Sequence, residues 1–575
     1  MAGQVWAPRA QSISLVLGDG SELAMLPRGD GWYDPERGLR TGERYGFMVD
    51  GAGPFPDPRS LSLPDGVHGL SRVVDPAVFS RETGWPGTEV LGGVLYELHV
   101  GTFTSDGTLD AAISHLDHLV ELGVDAVELM PLTEFPGSRG WGYDGVAPWS
   151  VHHAYGGQEA LVRFVDAAHS RGLAVIVDVV HNHLGPEGNY LPRFGPYLTS
   201  QHDTPWGQGL NFDGLDSLEV REFFLGSARH LLVDIGVDGL RLDAVHAIAD
   251  DSVMHFLAEL ALRTRAWEIE VGRRLTLIAE SDLNQPTMVM PLGTATEASG
   301  MDAQWADDVH HALHAFFGRE TGGYYVDFGS AETLRQALTK VFVHEGGYST
   351  FRGANWGAPL DRASLHYDGH SFVAFLQDHD QVGNRAIGDR FAQHAGVPAQ
   401  AAAAALYLLS PCTPMLFMGE EWAAGTPFPF FSDLGPELGP LVTEGRSREF
   451  RAMGWAQPTP DPQSKATFQT AKLDWAEPGS GVHAELLGWY QTLIGLRRRH
   501  PDLKDPDLRD VQVDVIDGDT LVLHRGRFQV VVTRAEECVV TIDRRVRQLA
   551  SWDACSVSDS DIRLAGPGAV VLEGL

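Results

Sequence analysis

The chain has 575 residues, 43% of them hydrophobic and 21% charged, enough apolar material for a large core spread over two or three domains and too much for a disordered protein. Lys and Arg number 43 against 77 Asp and Glu, a net charge of −34 that excludes nucleic acid and anionic membrane as partners, because both require a basic surface. Three cysteines, Cys412, Cys538 and Cys555, are too few and too irregularly spaced for a disulfide framework or a four-ligand zinc site, which points to a reducing setting.

The N-terminal MAGQVWAPRAQ has no basic segment leading into an apolar core, and the most apolar stretch, AQAAAAALYLLSPCTPMLF, is interrupted by Pro411 and Pro414 before it could span a bilayer. A cytoplasmic protein without a membrane partner, monomeric or dimeric, is expected. Residues 1–88 carry short β-type runs such as SISLVL separated by Gly, Asp and Pro, which predicts a small β-domain that exits through PFPDPRSLSLPDG.

From VLYELHV onward, apolar runs alternate with helix-period segments. In QEALVRFVDAAHSRGLAVIVDVV, Leu161, Phe164, Val165 and Ala168 fall at i, i+3, i+4 and i+7, Gly172 can stop the helix, and AVIVDVV follows as a buried strand. The same step recurs in LDAAISHLDHLVELGVDAVELMP. With VLYELHV, AVELM, VDGLRLD, LTLIAE, DAQW, SFVAFLQD and TPMLFMG, the strand candidates of residues 89–500 suit an α/β fold of the (β/α)8 TIM barrel type better than an open sheet. After HAELLGWYQTLIGLRRRH the pattern turns to two-residue alternation with tight turns (VQVDVI, TLVLHR, QVVVT), which predicts an antiparallel C-terminal β-domain over 501–575.

Four strand ends carry unexpected charge. In GLRLDAVHAI, Arg241 and Asp243 are two apart and share the inward face of a barrel strand, where a guanidinium beside a carboxylate favours the ionised form and keeps Asp243 fit to act as a nucleophile. LTLIAE ends in Glu280, whose dry position predicts a raised pKa and the capacity to donate a proton. SFVAFLQDHD adds Asp378 and Asp380, in phase if the strand continues that far, with His379 between them. VIVDVVHNH adds Asp178, Asn182 and His183. His181 and His183 are two apart, but no third His or Cys is spaced to complete a metal site, so no metal is expected. Any one of these carboxylates could be a helix cap or an ion-pair partner; together, at one barrel rim, they match glycoside hydrolysis by two carboxylates of opposed protonation.

In order, DVVHNH, GLRLDAVH, LIAE and FLQDHD resemble the four signature regions of the α-amylase family of retaining glycosidases. The resemblance implies Asp243 as nucleophile, Glu280 as acid/base and Asp380 as transition-state stabiliser, with Tyr143, Asp178, His183, Trp206, Arg241 and His379 binding and orienting sugar. It implies no catalytic metal or redox cofactor, and an immunoglobulin-like β-sandwich before the barrel. A further set of segments, among them YELHVGTFT, AESDLN, DAQWADDVHHALHAFF, GEEWAAGTPFPFFSD and GPLVTEGRSREF, resembles those members that cut the α-1,4 bond next to a terminal trehalose, which implies maltooligosyltrehalose and maltooligosaccharide substrates. Trp141, Trp206 and Phe316 or Phe317 are candidate stacking platforms, with core packing the alternative for the phenylalanines. The competing reading within the family is a glycogen branching enzyme; a non-catalytic scaffold is disfavoured because Asp243, Glu280 and Asp380 are all present.

Overall fold

The computed structural model describes residues 2–80, 84–452, 459–542, 545–558 and 561–575. At its centre eight parallel strands close into a barrel: β1 (Leu95–Leu98), β2 (Ala126–Leu129), β3 (Ala174–Val179), β4 (Gly239–Leu242), β5 (Thr276–Ala279), β6 (Ala303–Trp305), β7 (Phe372–Phe375) and β8 (Thr413–Phe417). Each strand pairs with its neighbours in chain order, and β8 returns to β1 through Met415 opposite Leu95. All eight strand candidates of the sequence are these strands.

Local chemistry accounts for the βα steps. Helix Gly157–His169 buries Leu161, Phe164, Val165 and Ala168 against the barrel. Gly172, at φ 81°, then turns the chain in a conformation costly for other residues, and β3 begins at Ala174. Helix Leu116–Leu122 ends in the same way at Gly123, φ 96°, whose N–H caps the last carbonyls.

Inside the barrel, Leu95, Ala126, Ala174, Ile176, Ile278, Ala303, Val373, Phe375 and Met415 form an apolar plug separate from the outer core. Strand alternation carries the chain from that plug to the rim two residues at a time. One step past Leu95, Ala126, Ile176 and Ile278 lie Glu97, Glu128, Asp178 and Glu280. The plug therefore dictates which residues crown it, and on these four strands the crown is acidic.

Strand β7 ends at Phe375, earlier than the alternation predicts. Asp378 accepts the N–H of Gln381 at 2.7 Å and caps the short helix His379–Gly383, so Asp380 sits in the first turn of a helix and not in strand phase with Asp378. The segment AQAAAAALYLLS forms the buried helix Val397–Leu408, and among the described residues no helix is long and apolar enough to cross a membrane.

Seven N-terminal strands pair antiparallel, in the order Val5–Trp6, Trp32–Pro35, Glu22–Gly29, Ile13–Leu17, Arg44–Val49 and Ala52–Phe55, with Ser71–Arg72 also on Arg44–Val49. Aromatic pairs dock them on the barrel loops, Trp6 edge-on to Tyr197 at 5.4 Å and Phe47 edge-on to Phe194 at 5.9 Å. Near the C-terminus a five-stranded and a three-stranded antiparallel sheet sandwich Val522, Val531, Cys538, Val540, Ile562, Leu564, Val570 and Leu572. The alternate residues of the larger sheet, such as Leu521, Val530, Val532 and Val571, join the main core. Helix Gly439–Ala452 contains the segment ending SREF, of which the Phe450 side chain lies outside the described residues.

Candidate active site

The rim gathers around one guanidinium. Arg241, 0% exposed, donates from Nη1 to Asp178 Oδ2 at 2.7 Å and to Asp243 Oδ1 at 3.0 Å, while Nη2 lies 3.0 Å from Glu280 Oε2. Its flat face rests on the Trp305 ring, 4.2 Å from the centroid. The pairing of β3 with β4 sets Asp178 opposite Arg241. Asp243 follows β4 and Glu280 follows β5, so neighbouring strand ends deliver both carboxylates to the two terminal nitrogens of the same cation.

Each carboxylate has a second anchor. Asn182 Nδ2 donates to Asp243 Oδ2 at 2.8 Å and to its carbonyl at 2.6 Å. Ala244, held in the left-handed region at φ 39°, aims its N–H at Glu280 Oε2, 2.7 Å away. A strained turn directly after Asp243 thus positions its partner acid. Tyr143 donates its hydroxyl to Asp178 Oδ2 at 2.7 Å and stacks on His379, 5.0 Å between ring centres. His379 Nδ1 donates to Glu97 Oε1 at 2.5 Å, and its Nε2 faces Asp380 Oδ1 at 3.7 Å. His183 donates from Nε2 to the Tyr143 carbonyl at 3.1 Å, and Trp206, 49% exposed on the hairpin Leu198–Leu210, stacks on its ring at 4.5 Å.

All nine site residues expected from the sequence therefore belong to one connected network. Asp178, Arg241, Asp243, Glu280 and Tyr143 touch directly, whereas His183, Trp206, His379 and Asp380 join through Tyr143. Trp141 is buried, stacked on Phe428 and edge-on to His379, so it supports the histidine and offers no open face to sugar. Phe316 and Phe317 are core residues of helix Asp307–Gly318. His181 is packed between Phe224 and Phe256, with Ser227 Oγ 3.3 Å from its Nε2.

Burial and charge divide the protonation states. Desolvation pushes the Glu280 carboxyl up, against the pull of Arg241. Burial likewise moves Asp178 up to about 7, with Arg241 opposing and Asp243 reinforcing the shift. For Arg241, burial alone would favour loss of the proton, but Asp178, Glu280, Tyr143 and Asp243 hold it well above the usual range. His379 is likewise opposed by burial, yet Glu97, Asp380 and Asp378 raise it to about 10. Since this folded-state value stands above the ordinary 6.5, the stability it contributes is fully present below pH 6.5 and is lost as pH rises through about 10. Asp178 acts in the same sense over a lower window, from 3.8 to about 7. In urea denaturation the parent is expected to lose more stability between pH 6.5 and about 10 than Glu97→Gln does.

Four residues not expected from the sequence, Glu97, Glu128, Trp305 and Asp307, also stand at the rim. The first two carry the same local signal as Arg241, a charge within an apolar strand. Glu128 is fully enclosed, neither of its carboxyl oxygens has a partner among the described residues, and burial followed by repulsion from Glu97 holds it well above the carboxylate range. Its surroundings favour the neutral acid, and Glu128→Gln is expected to retain stability within about 1 kcal/mol and most activity. Thermal unfolding and kcat/KM check this; a collapse of either would mean that the ionised form is needed. Asp307 opens its helix at the rim and is pushed up by desolvation and by Glu280, Asp378 and Asp282.

Among the described residues, three groups of His and acid side chains bring their ligand atoms within 4.8 Å of one another, and none of them belongs to the Arg241 network. In the most buried, Glu134 with His152 and His153, the Ala154 N–H donates to His152 Nδ1 at 3.1 Å, so Nε2 carries the proton and cannot take a metal.

A family described as the alpha amylase catalytic domain matches residues 75–202. A malto-oligosyltrehalose trehalohydrolase of Arthrobacter ramosus is 49% identical over 99% of this chain and 98% of its own length. One from Mycobacterium tuberculosis is 46% identical over 99% and 98%. The crystal structure of a Salmonella typhimurium protein assigned to the alpha amylases superposes with TM-score 0.90 at 36% identity, covering 99% of this chain and 97% of that one. A branching enzyme of Nitrobacter winogradskyi is 31% identical, but over only 42% of this chain.

Proposed function

The chain belongs to the malto-oligosyltrehalose trehalohydrolase family, glycoside hydrolases of the α-amylase type, and we propose that Asp243, Glu280 and Asp380 carry its reaction. The enzyme cleaves the α-1,4-glucosidic bond adjacent to the terminal trehalose of a maltooligosyltrehalose and releases trehalose. The observation that supports this assignment of residues is the single buried guanidinium of Arg241 shared by Asp178, Asp243 and Glu280.

In the proposed sequence, Asp243 attacks the anomeric carbon of the scissile glucose while Glu280 gives its proton to the glycosidic oxygen. Trehalose departs and the maltooligosaccharide stays esterified to Asp243. Glu280, now ionised, takes a proton from water, and the resulting hydroxide displaces Asp243 to regenerate the original anomer. Raised by burial, Glu280 keeps its proton at pH values where an ordinary glutamate has lost it. Arg241 and the Asn182 amide stabilise the Asp243 carboxylate between turnovers. Tyr143, Asp178, His183 and His379 hold the sugar at the scissile bond, Asp380 binds the developing positive charge, and Trp206 supplies an exposed face for stacking. We take residues 1–88, 89–500 and 501–575 as the three domains of this enzyme.

Chromatography of products tests the reading. Incubation with maltotriosyltrehalose is expected to release trehalose, with plain amylose nearly unchanged. Branched chains from amylose, with the capped substrate intact, would replace hydrolysis by branching and leave the roles of the three carboxylates standing. Trp206→Ala is expected to raise KM about three- to tenfold with little change in kcat, as befits a lost stacking platform.

A further inference from the structure

Between the N-terminal strands and the barrel lies a cleft of about 530 Å³ whose walls include Trp32, Arg59, Phe79, Trp149, His230 and Asp234. None of these residues belongs to the network around Arg241. Arg59 is the unexplained element. Its guanidinium sits 4.7 Å from the Trp32 ring centre and 5.5 Å from that of Trp149, gripped by aromatic faces contributed by both sides of the junction. Among the described residues the guanidinium has no hydrogen bond and no ion pair. The nearest carboxylate in sequence, Asp57, is already occupied by the Tyr45 hydroxyl at 2.7 Å and the Arg59 backbone N–H at 2.8 Å. The buried indole N–H of Trp149 also has no hydrogen-bond partner among the described residues.

A cation held flat by rings, with its donor edge unused, asks for ligand oxygens. The remaining polar lining decides which kind. Arg72 is paired with Glu159 at 3.2 Å, and Asp57 and Asp234 offset the positive charge, so the cleft is close to neutral. An anion would need donors alone. Hydroxyl groups both donate and accept, and the apolar faces of glucose units suit walls built from tryptophan and phenylalanine. A chain of net charge −34 also does nothing to draw an anion in.

We propose that this cleft is a second binding site for α-glucan chains, remote from the scissile bond and joining the N-terminal strands to substrate capture. It would hold glucose units of a long maltooligosaccharide and leave short substrates untouched.

Affinity electrophoresis in gels containing amylopectin tests the proposal with Trp32→Ala and Arg59→Met, the second of which keeps the bulk between the rings. Retardation is expected to weaken about three- to tenfold in both variants, while kcat/KM on maltotriosyltrehalose stays within about twofold of the parent. Unchanged retardation in both would overturn the site. If short-substrate activity falls as well, the junction itself is disturbed, and crystals of the unaltered protein soaked in maltotriose decide. Sugar in the cleft, against the donor edge of Arg59, sustains the proposal; sugar confined to the barrel rim refutes it. The catalytic assignment stands or falls separately, on turnover of the short substrate.

Discussion

Asp243→Asn is expected to lower kcat on trehalose-capped maltooligosaccharides by on the order of 10⁴-fold or more, because the proposed mechanism needs an anionic carboxylate there to form the covalent intermediate and an amide cannot supply one. The amide is nearly isosteric, so folding should survive and substrate should still bind. Glu280→Ala leaves the nucleophile in place and costs less, about 10²- to 10⁴-fold. Added azide separates the two roles by stereochemistry. With Glu280→Ala, azide intercepts the glycosyl-enzyme and yields the α-glycosyl azide; with Asp243→Ala, azide takes the place of the carboxylate and yields the β-anomer. The same anomer from both variants would reverse or void the assignment. The parent enzyme should lose activity at alkaline pH as Glu280 gives up its proton, a limb displaced upward by the burial of that carboxyl and absent from Glu280→Ala.

Arg241→Met should produce the largest loss of stability, about 3–5 kcal/mol by urea denaturation. The side chain is 0% exposed, and its removal leaves Asp178, Asp243 and Glu280 crowded without their shared cation. The deficit should shrink at acid pH, where the orphaned carboxyls take up protons and their mutual repulsion disappears. Arg241→Lys is expected to recover part of the loss, since an ammonium restores charge but neither spans both β-strand ends nor lies flat on Trp305. A deficit below about 1 kcal/mol for the Met variant would show that the three carboxyls are well solvated, and the protonation scheme at the rim would fail with it.

Much of the site is legible because charge is rare inside apolar strands. LRLD and LIAE each interrupt a buried run, and strand alternation tells which residues face inward. YELHV and AVELM interrupt it equally, yet nothing in either segment distinguishes a glutamate that grips the rim histidine His379, Glu97, from one enclosed without a partner among the described residues, Glu128. Asp378 shows how the pattern can mislead: an aspartate near a strand end is equally suited to cap a helix, and here capping prevails because its side chain finds the Gln381 N–H. Ala244 carries no signal at all. Its role rests on a left-handed backbone conformation, to which the residue type gives no clue.

By itself the sequence determined the eight barrel strands, their order, and the carboxylates at their ends, since periodicity and strand polarity are properties of near neighbours along the chain. Tertiary structure alone decided that three of those carboxylates share Arg241, that Glu97 raises the pKa of His379, that Asp380 stands on a helix turn, and that Arg59 lines a cleft at the junction. These depend on burial and on distances between residues far apart in the chain; the contact of His379 with Glu97 spans 282 positions. Desolvation and Coulomb interaction act through space, and no local pattern encodes them.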